Sequence, residues 1–572
     1  MNSKQRFRTR IVLACILMGA GVLAASSYST AIIHGDAYAA KADAQYAKPS
    51  GNLFDRGTIY FSDKDGRQTP AATKKSGFLI YINPKLITDP LPVYQALSNY
   101  VKIDQATFLA KAKKANDPYE ELVHDVDQAA ADAVRGLRIN GLAASPENKR
   151  SYPGGSLAAH ELGLTGESAT STAVSGRYGL ERAYDAVLRR SAPPGAVNAF
   201  AQLFADIESS VLGGGDPHAG DIVTTIEPKV EAYLDSALVK IRTTWHSDEI
   251  GGIIMDPHTG EIVAMSSLPT FDPNDTAAVK DVSVFSNSLV EHAYEMGSIM
   301  KPLTMAVALD SGRFKPTSTY DDTGCMTLDT KKICNFDGKA RGIVPMQQIL
   351  SQSLNIGAVT LGLKVGAADF TRYFESFGVT AKTGIDLPNE ATPLTKNLKS
   401  GRDIAIATAS YGQGISVSPV GMIRALAVLA NGGYVITPHL VKEINYTDGS
   451  TKEIKTDRGS PVFKAETLDD VKDMLVTVVD KALANGSIKR EHYTVAAKTG
   501  TAEVPDPVNG GYYSDRYLHS FFGFFPAYNP RFIVFLYQIN PKGAQYASET
   551  LVKPFDDITT FLLNYYNIPP DR

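Results

Sequence analysis

The sequence predicts an α+β fold in which an antiparallel sheet is flanked by helices, and three observations predict it. Two apolar runs, Ile250-Gly251-Gly252-Ile253-Ile254-Met255 and Ile262-Val263-Ala264-Met265, flank Asp256-Pro257-His258-Thr259-Gly260, a good hairpin signal. Helical patterning then runs to about residue 430. Two strongly apolar strands return near the end, Ser520-Phe521-Phe522-Gly523-Phe524-Phe525 and Phe532-Ile533-Val534-Phe535-Leu536-Tyr537-Gln538-Ile539, followed by a last helix over 554–566. Strands, then helices, then strands are the order of an α+β domain. No repeated β-α alternation occurs, and no Gly-x-Gly-x-x-Gly opens a helix, so nucleotide-binding folds are disfavoured.

The 572 residues are too many for one compact domain. A hydrophobic share of 44% with 21% charged residues describes a globular chain able to bury a sizeable core. The formal net charge of −4 leaves no basic footprint, and no nucleic-acid partner is expected. At the N-terminus, residues 1–10 carry Lys4, Arg6, Arg8 and Arg10 and no acid, and read as a cytoplasmic tail. Residues 11–33 hold no charge. As a helix they would span about 34 Å, enough for a bilayer core, so a transmembrane anchor is expected here rather than a cleaved signal peptide. Residues 34–52 are small and polar, a tether above the membrane. The bulk of the chain is therefore expected outside the cytoplasm.

From 53 to about 240 the chain reads as an elongated pedestal. Phe78-Leu79-Ile80-Tyr81-Ile82 looks like a strand, 92–113 and 119–137 look helical, and 140–172, rich in Gly, Ser, Pro and Ala, reads as irregular. A helix starts at Tyr178, and nothing in this region assembles a catalytic set. Residues 241–572 form the second, catalytic domain, and the chain stops soon after Ile568-Pro569-Pro570, with no further module expected.

The chemistry centres on Glu295-Met296-Gly297-Ser298-Ile299-Met300-Lys301-Pro302. The apolar helix-forming run from Leu303 to Leu309 follows, so Ser298 and Lys301 lie one turn apart on one helix face. A neutral lysine amine placed there can take the serine proton as the hydroxyl attacks a carbonyl. Pro302 cannot donate to the Ser298 carbonyl, so a distorted first turn is expected. Ser353-Leu354-Asn355 supplies a hydroxyl to relay a proton toward a leaving amine and an amide to bind a substrate amide. Lys498-Thr499-Gly500-Thr501, entered by Val495-Ala496-Ala497, reads as a strand edge. Gly500 would let a substrate backbone approach, Thr499 and Thr501 would offer hydroxyls to a carboxylate, and Lys498 would add positive charge and depress the Lys301 pKa. The backbone N–H groups of Ser298 and Thr501 are candidates for an oxyanion hole. No zinc-type Cys/His spacing and no His-Glu-x-x-His occur. Cys325 and Cys334 can form a local disulfide outside the cytoplasm or remain free thiols.

Singly, each short motif is a common coincidence. Together and in this order, Ser298 to Lys301, Ser353 to Asn355 and Lys498 to Gly500 resemble the trio of the penicillin-binding proteins and class A β-lactamases. Tyr411-Gly412-Gln413-Gly414, Ser418-Pro419 and Asn431-Gly432-Gly433 resemble later landmarks of that family. Arg56-Gly57 with Ile59, and Gly179-Leu180-Glu181, are similar to pedestal motifs of class B penicillin-binding proteins, and the resemblance is closest to the septal (cell-division) transpeptidases. Met296 stands where a proline is common and Leu354 where a second serine is common; neither departure removes a reacting group.

The resemblance implies a serine D,D-transpeptidase that cross-links peptidoglycan stem peptides through a Ser298 acyl-enzyme. Lys301, Ser353, Asn355 and Lys498 would be catalytic, and Thr499, Gly500 and Thr501 would bind substrate. β-Lactams would acylate Ser298 as substrate mimics, and no metal or organic cofactor is implied. The membrane helix and pedestal would contact a membrane glycan polymerase of the division machinery. Two other readings use the same features. One is a D,D-carboxypeptidase or β-lactamase with the same trio; the other is a non-catalytic division scaffold or β-lactam sensor.

Overall fold

The computed structural model describes residues 55–114, 117–168, 171–190 and 219–572, together with the isolated positions Met18 and Gly21. The expected tail at 1–10, the tether at 34–52 and nearly all of the anchor at 11–33 lie outside the described residues. Among the described residues no helix is long and apolar enough to cross a membrane. The chain divides into two compact units. Lys74–Lys149 builds the smaller one, and Arg56–Thr73 with Arg150–Arg572 builds the larger.

In the smaller unit the strand Glu120–Val126 pairs antiparallel with Phe78–Ile82, and helices Pro90–Leu97, Gln105–Ala112 and Gln128–Gly136 complete the core around Ile80, Ile82, Leu97 and Phe108. Two expected helices are corrected here. The 92–113 pattern is two helices, because Asp104 turns its carboxylate back on the Thr107 N–H and starts the second afresh. The 119–137 pattern begins as a strand. Val123 and Val126 align with Ile80 and Phe78 across the ladder, and the helix starts only after Asp127, which caps it at Ala130 N–H. The stretch 140–172 is also more ordered than its composition suggests. It holds the strand Leu142–Ser151, the short helix Ala159–Leu162 and the start of the hairpin Thr165–Ser168 with Ser171–Gly176.

The larger unit is organised by a five-stranded antiparallel sheet. Its order is Ala496–Pro505, Tyr512–Phe525, Phe532–Ile539, Glu249–Met255, Ile262–Leu268. The expected hairpin over Asp256–Gly260 is present, and the two aromatic strands lie at the sheet's centre. Phe521, Phe522, Phe524, Phe525, Phe535 and Tyr537 are fully buried. Antiparallel strands so nearly continuous in apolar residues must be covered on both faces, and they are. The last helix, Val552–Tyr565, sets Phe555 against Phe521, with ring centroids 4.5 Å apart. The helical middle of the chain includes Lys301–Asp310, Asn355–Val365, Asp403–Ser410 and Pro419–Ala427. Every residue of Lys301–Asp310 is buried, which explains why its sequence lacks a polar stripe.

Some landmark residues of the sequence prove to be structural. Ser418 caps the helix Pro419–Ala427 by accepting from Gly421 N–H. Asn431 donates to the carbonyls of Pro257 and Tyr434. Arg56 and Arg150 both reach Glu181, which is fully buried, and Arg56 also pairs with Asp185 at 2.7 Å. Arg150 donates onward to the Gly57 carbonyl.

Candidate active site

Ser298 sits on a 3₁₀ turn, Gly297–Met300, that runs directly into the helix Lys301–Asp310. Pro302 occupies the first turn of that helix, where its missing N–H is tolerated. The Ser298 carbonyl is instead bonded by the Lys301 N–H, the tighter spacing of a 3₁₀ turn. The turn is possible because Gly297 holds a φ of +65° and lies close against the edge strand; a Cβ there would sit 2.6 Å from the Thr501 carbonyl.

The structure brings the three motifs together. Lys301 Nζ lies 2.9 Å from Ser298 Oγ, 2.6 Å from the Ser353 carbonyl, 2.8 Å from Asn355 Oδ1 and 3.2 Å from Ser353 Oγ. Ser353 adopts a left-handed backbone conformation, φ +56°, and presents both its carbonyl and its hydroxyl to that amine. Its hydroxyl is also 3.1 Å from Lys498 Nζ, so it bridges the two lysines. Lys498 donates its other resolved bond to the Thr499 carbonyl at 2.9 Å. Ser298, Ser353, Asn355, Lys498, Thr499 and Thr501 line one cavity of about 730 Å³. Lys301 is fully buried beneath it.

The electrostatics follow from burial without counter-ions. The polar partners of Lys301 and Lys498 are hydroxyls, carbonyls and an amide, none of them ionised. Burial holds the Lys301 amine well below the usual lysine range, and the charge of Lys498 lowers it further. The sequence assigned that depression to Lys498; burial is the larger cause. Lys498 is itself pushed down to about 7 by burial.

A neutral Lys301 also matches the donor and acceptor count. Its two N–H groups suit the Ser353 carbonyl and Asn355 Oδ1, which leaves the lone pair facing the Ser298 hydroxyl.

Two residues have further structural roles at the site. Asn355 is engaged at both ends, since its Nδ2 donates to the Cys334 carbonyl at 2.8 Å while its Oδ1 accepts from Lys301. It therefore positions Lys301 in this state of the site instead of offering a free amide. Gly500 does not line the cavity. A Cβ on it would lie 2.7 Å from the Met296 carbonyl and 3.0 Å from Ile299 N, so the missing side chain makes room for the nucleophile's own turn.

Other contributors were left open or given no role at the site by the sequence. Cys325 and Cys334 form a disulfide across the hairpin Cys325–Leu328 and Lys331–Cys334, whose end carries the carbonyl that Asn355 holds. The Ala547 N–H donates to Thr501 Oγ1 at 3.1 Å. Tyr411, Gln413 and Glu503 also line the cavity. Of these, Glu503 had a signal in the sequence, since it continues the alternation Thr499, Thr501, Glu503 along one strand face.

Comparison with known families and proteins gives a consistent picture. Residues 250–559 match the penicillin binding protein transpeptidase domain, and residues 54–192 match the penicillin-binding protein dimerisation domain. Stage V sporulation protein D of Bacillus subtilis is 29% identical over 87% of this chain and 76% of its own length. A probable peptidoglycan D,D-transpeptidase FtsI of Caulobacter vibrioides is 27% identical, over 84% of this chain and 75% of its own. Among solved structures, penicillin binding protein 2X from Streptococcus thermophilus superposes with a TM-score of 0.71 at 20% identity, covering 91% of this chain and 82% of that one. Penicillin binding protein 3 from Mycobacterium tuberculosis, complexed with aztreonam, gives 0.68 at 22% identity, over 91% and 97%.

Proposed function

Because the chain belongs to the penicillin-binding protein transpeptidase family, we propose that it is a peptidoglycan D,D-transpeptidase working through an acyl-enzyme on Ser298. The observation that carries this reading is the buried, uncharged-partner environment of Lys301, 2.9 Å from the Ser298 hydroxyl. In the first half-reaction, neutral Lys301 takes the Ser298 proton as Oγ attacks the penultimate D-Ala carbonyl of a stem peptide. The backbone N–H groups of Ser298 and Thr501 stabilise the oxyanion. Ser353, within reach of both lysines, relays a proton to the departing D-Ala amine as the peptide bond breaks. In the second half-reaction an amine of a neighbouring stem attacks the ester, Ser298 Oγ leaves and is reprotonated, and the cross-link is formed.

The terminal carboxylate of the donor binds at Thr499 and Thr501. Because the Thr501 oxygen already accepts from Ala547 N–H, its own proton is free to point at an anion. Lys498, held near neutrality, gains its proton fully when that anion arrives. Gly500 acts by letting the strand and the nucleophile turn touch, and Asn355 by holding the base. β-Lactams enter the same path as mimics of the donor.

The wider assignment is a septal enzyme with its catalytic domain outside the cytoplasm. The uncharged run at 11–33 supports a single membrane anchor, and the Cys325–Cys334 disulfide supports an oxidising compartment. Residues 53–240 serve as the pedestal and 241–572 as the transpeptidase domain. A membrane glycan polymerase is the partner that the anchor and pedestal would contact. The test is mass spectrometry of the intact protein after reaction with a fluorescent penicillin, with the modified peptide mapped. A single adduct on Ser298 is expected. Incubation with stem peptides should then yield dimers; trimmed monomers alone would assign a carboxypeptidase instead.

A further inference from the structure

One wall of the catalytic cavity carries a group that the chemistry above leaves unused. Glu503 lies on the edge strand Ala496–Pro505, two residues beyond Thr501 and four beyond Thr499. Alternate residues of a strand share a face, and all three side chains line the cavity. The distance from Thr501 to Glu503 along the strand is about 7 Å. The nucleophile's turn meets this strand at Gly500 and Thr501. A donor whose carboxylate lies at Thr499 and Thr501 therefore has its upstream residues at the level of Glu503.

The groups that sense Glu503 are one carboxyl and two phenols. Its charge is felt by Glu295, Tyr411 and Tyr512. Glu295 is already engaged, accepting from Gly414 N–H at 3.0 Å and from the Tyr512 hydroxyl at 3.0 Å. Burial, with a smaller contribution from Glu503, raises the Glu295 pKa, and burial chiefly raises those of Tyr411 and Tyr512. Among the described residues no lysine or arginine pairs with Glu503. It is an exposed carboxylate lining the cleft, with one carboxyl and two neutral phenols near it and no counter-ion among the described residues. Such an arrangement concentrates cations.

We propose that Glu503 is a specificity-determining residue that binds a primary ammonium on the acyl donor, just upstream of the carbonyl that Ser298 attacks. The inference rests on the transpeptidase reading, since it assumes that Ser298 is acylated from this cleft. The side chain of a penicillin stands in for that upstream segment. The test therefore compares second-order acylation rate constants for ampicillin, whose side chain carries an ammonium, benzylpenicillin, which is neutral there, and carbenicillin, which carries a carboxylate. In Glu503→Gln the ampicillin-to-benzylpenicillin ratio is expected to fall about fivefold, the scale of a solvent-accessible ion pair. In Glu503→Lys the carbenicillin-to-benzylpenicillin ratio is expected to rise by a similar factor.

General damage to the fold moves all the rate constants together and leaves the ratios alone. Equal ratios in the unaltered protein and both variants would overturn the proposal. So would unchanged ratios accompanied by a change only in how the acyl-enzyme partitions between water and an added amine, which would assign Glu503 to the acceptor. If the unaltered protein forms no adduct with any of the three penicillins, the transpeptidase reading itself fails.

Discussion

Two places where the larger unit buries cations treat them in opposite ways. In the cleft, Lys301 and Lys498 are 0% and 2% exposed and meet only neutral oxygens. In the cluster around Glu181, Arg56 and Arg150 are 2% and 9% exposed and meet carboxylates. A buried lysine without a counter-ion loses its proton, because burial disfavours the charged form and lysine can release it. A buried arginine cannot, so its charge must be met by acceptors, here the carboxylates of Glu181 and Asp185. The same desolvation thus leaves an uncharged amine at one site and a clamp at the other. The residue type and the presence of a carboxylate decide which.

The largest effects should separate the two regions cleanly. Lys301→Ala is expected to slow acylation of Ser298 by about 10³-fold, the scale of a lost general base, in stopped-flow penicillin assays. It should leave the Glu181 cluster intact. Conversely, Glu181→Ala leaves the buried Arg150 without a carboxylate and Arg56 with only Asp185, and is expected to cost about 3–5 kcal/mol of stability by denaturant titration. Acylation per folded molecule should barely change. If Glu181→Ala instead stops the chemistry while the protein stays folded, the division of labour is wrong.

A subtler experiment installs the feature of one region in the other. Lys301 must be neutral to act, so the acylation rate should rise with pH through its depressed pKa and then level off. Asn355→Asp places a carboxylate where Oδ1 now lies 2.8 Å from the amine. That favours the ammonium and should move the rising limb to higher pH by about one to two units. A pH profile that does not shift would mean that Lys301 is not the base.

The smallest expected effect is thermodynamic. Lys498 titrates near 7 in the folded protein but close to the usual lysine value when unfolded. Between those values the unfolded chain holds the extra proton, so this lysine makes stability rise with pH across that window. Lys498→Met should remove up to about 1.4 kcal/mol per pH unit from the slope of stability against pH between 7.5 and 9. An unaltered slope would show that Lys498 is charged in the free protein.

Much of this site was legible in the chain because it is written in short local patterns. Ser298 and Lys301 are one turn apart whatever surrounds them, and the oddity of Pro302 correctly foretold an irregular first turn. The aromatic strands near the C-terminus could hardly be anything else, and they lie at the centre of the sheet. The misreadings fell where local propensity was outvoted. Residues 120–126 have helical neighbours, yet pairing with 78–82 draws them into a strand. That Asn355 is held at both ends could not be read from the sequence, because its partner, the Cys334 carbonyl, arrives from a hairpin twenty-one residues earlier in the chain.

The sequence by itself determined the candidate reacting groups, the order of secondary structure around them and the family they belong to, because each depends on residue type and near-neighbour spacing. Only the tertiary structure decided that Lys301 is sealed from water, that Ser353 bridges two amines and that Glu503 has no counter-ion among the described residues. Those properties depend on what the rest of the chain brings within a few ångströms, and desolvation and Coulomb interactions act through space without regard to sequence separation.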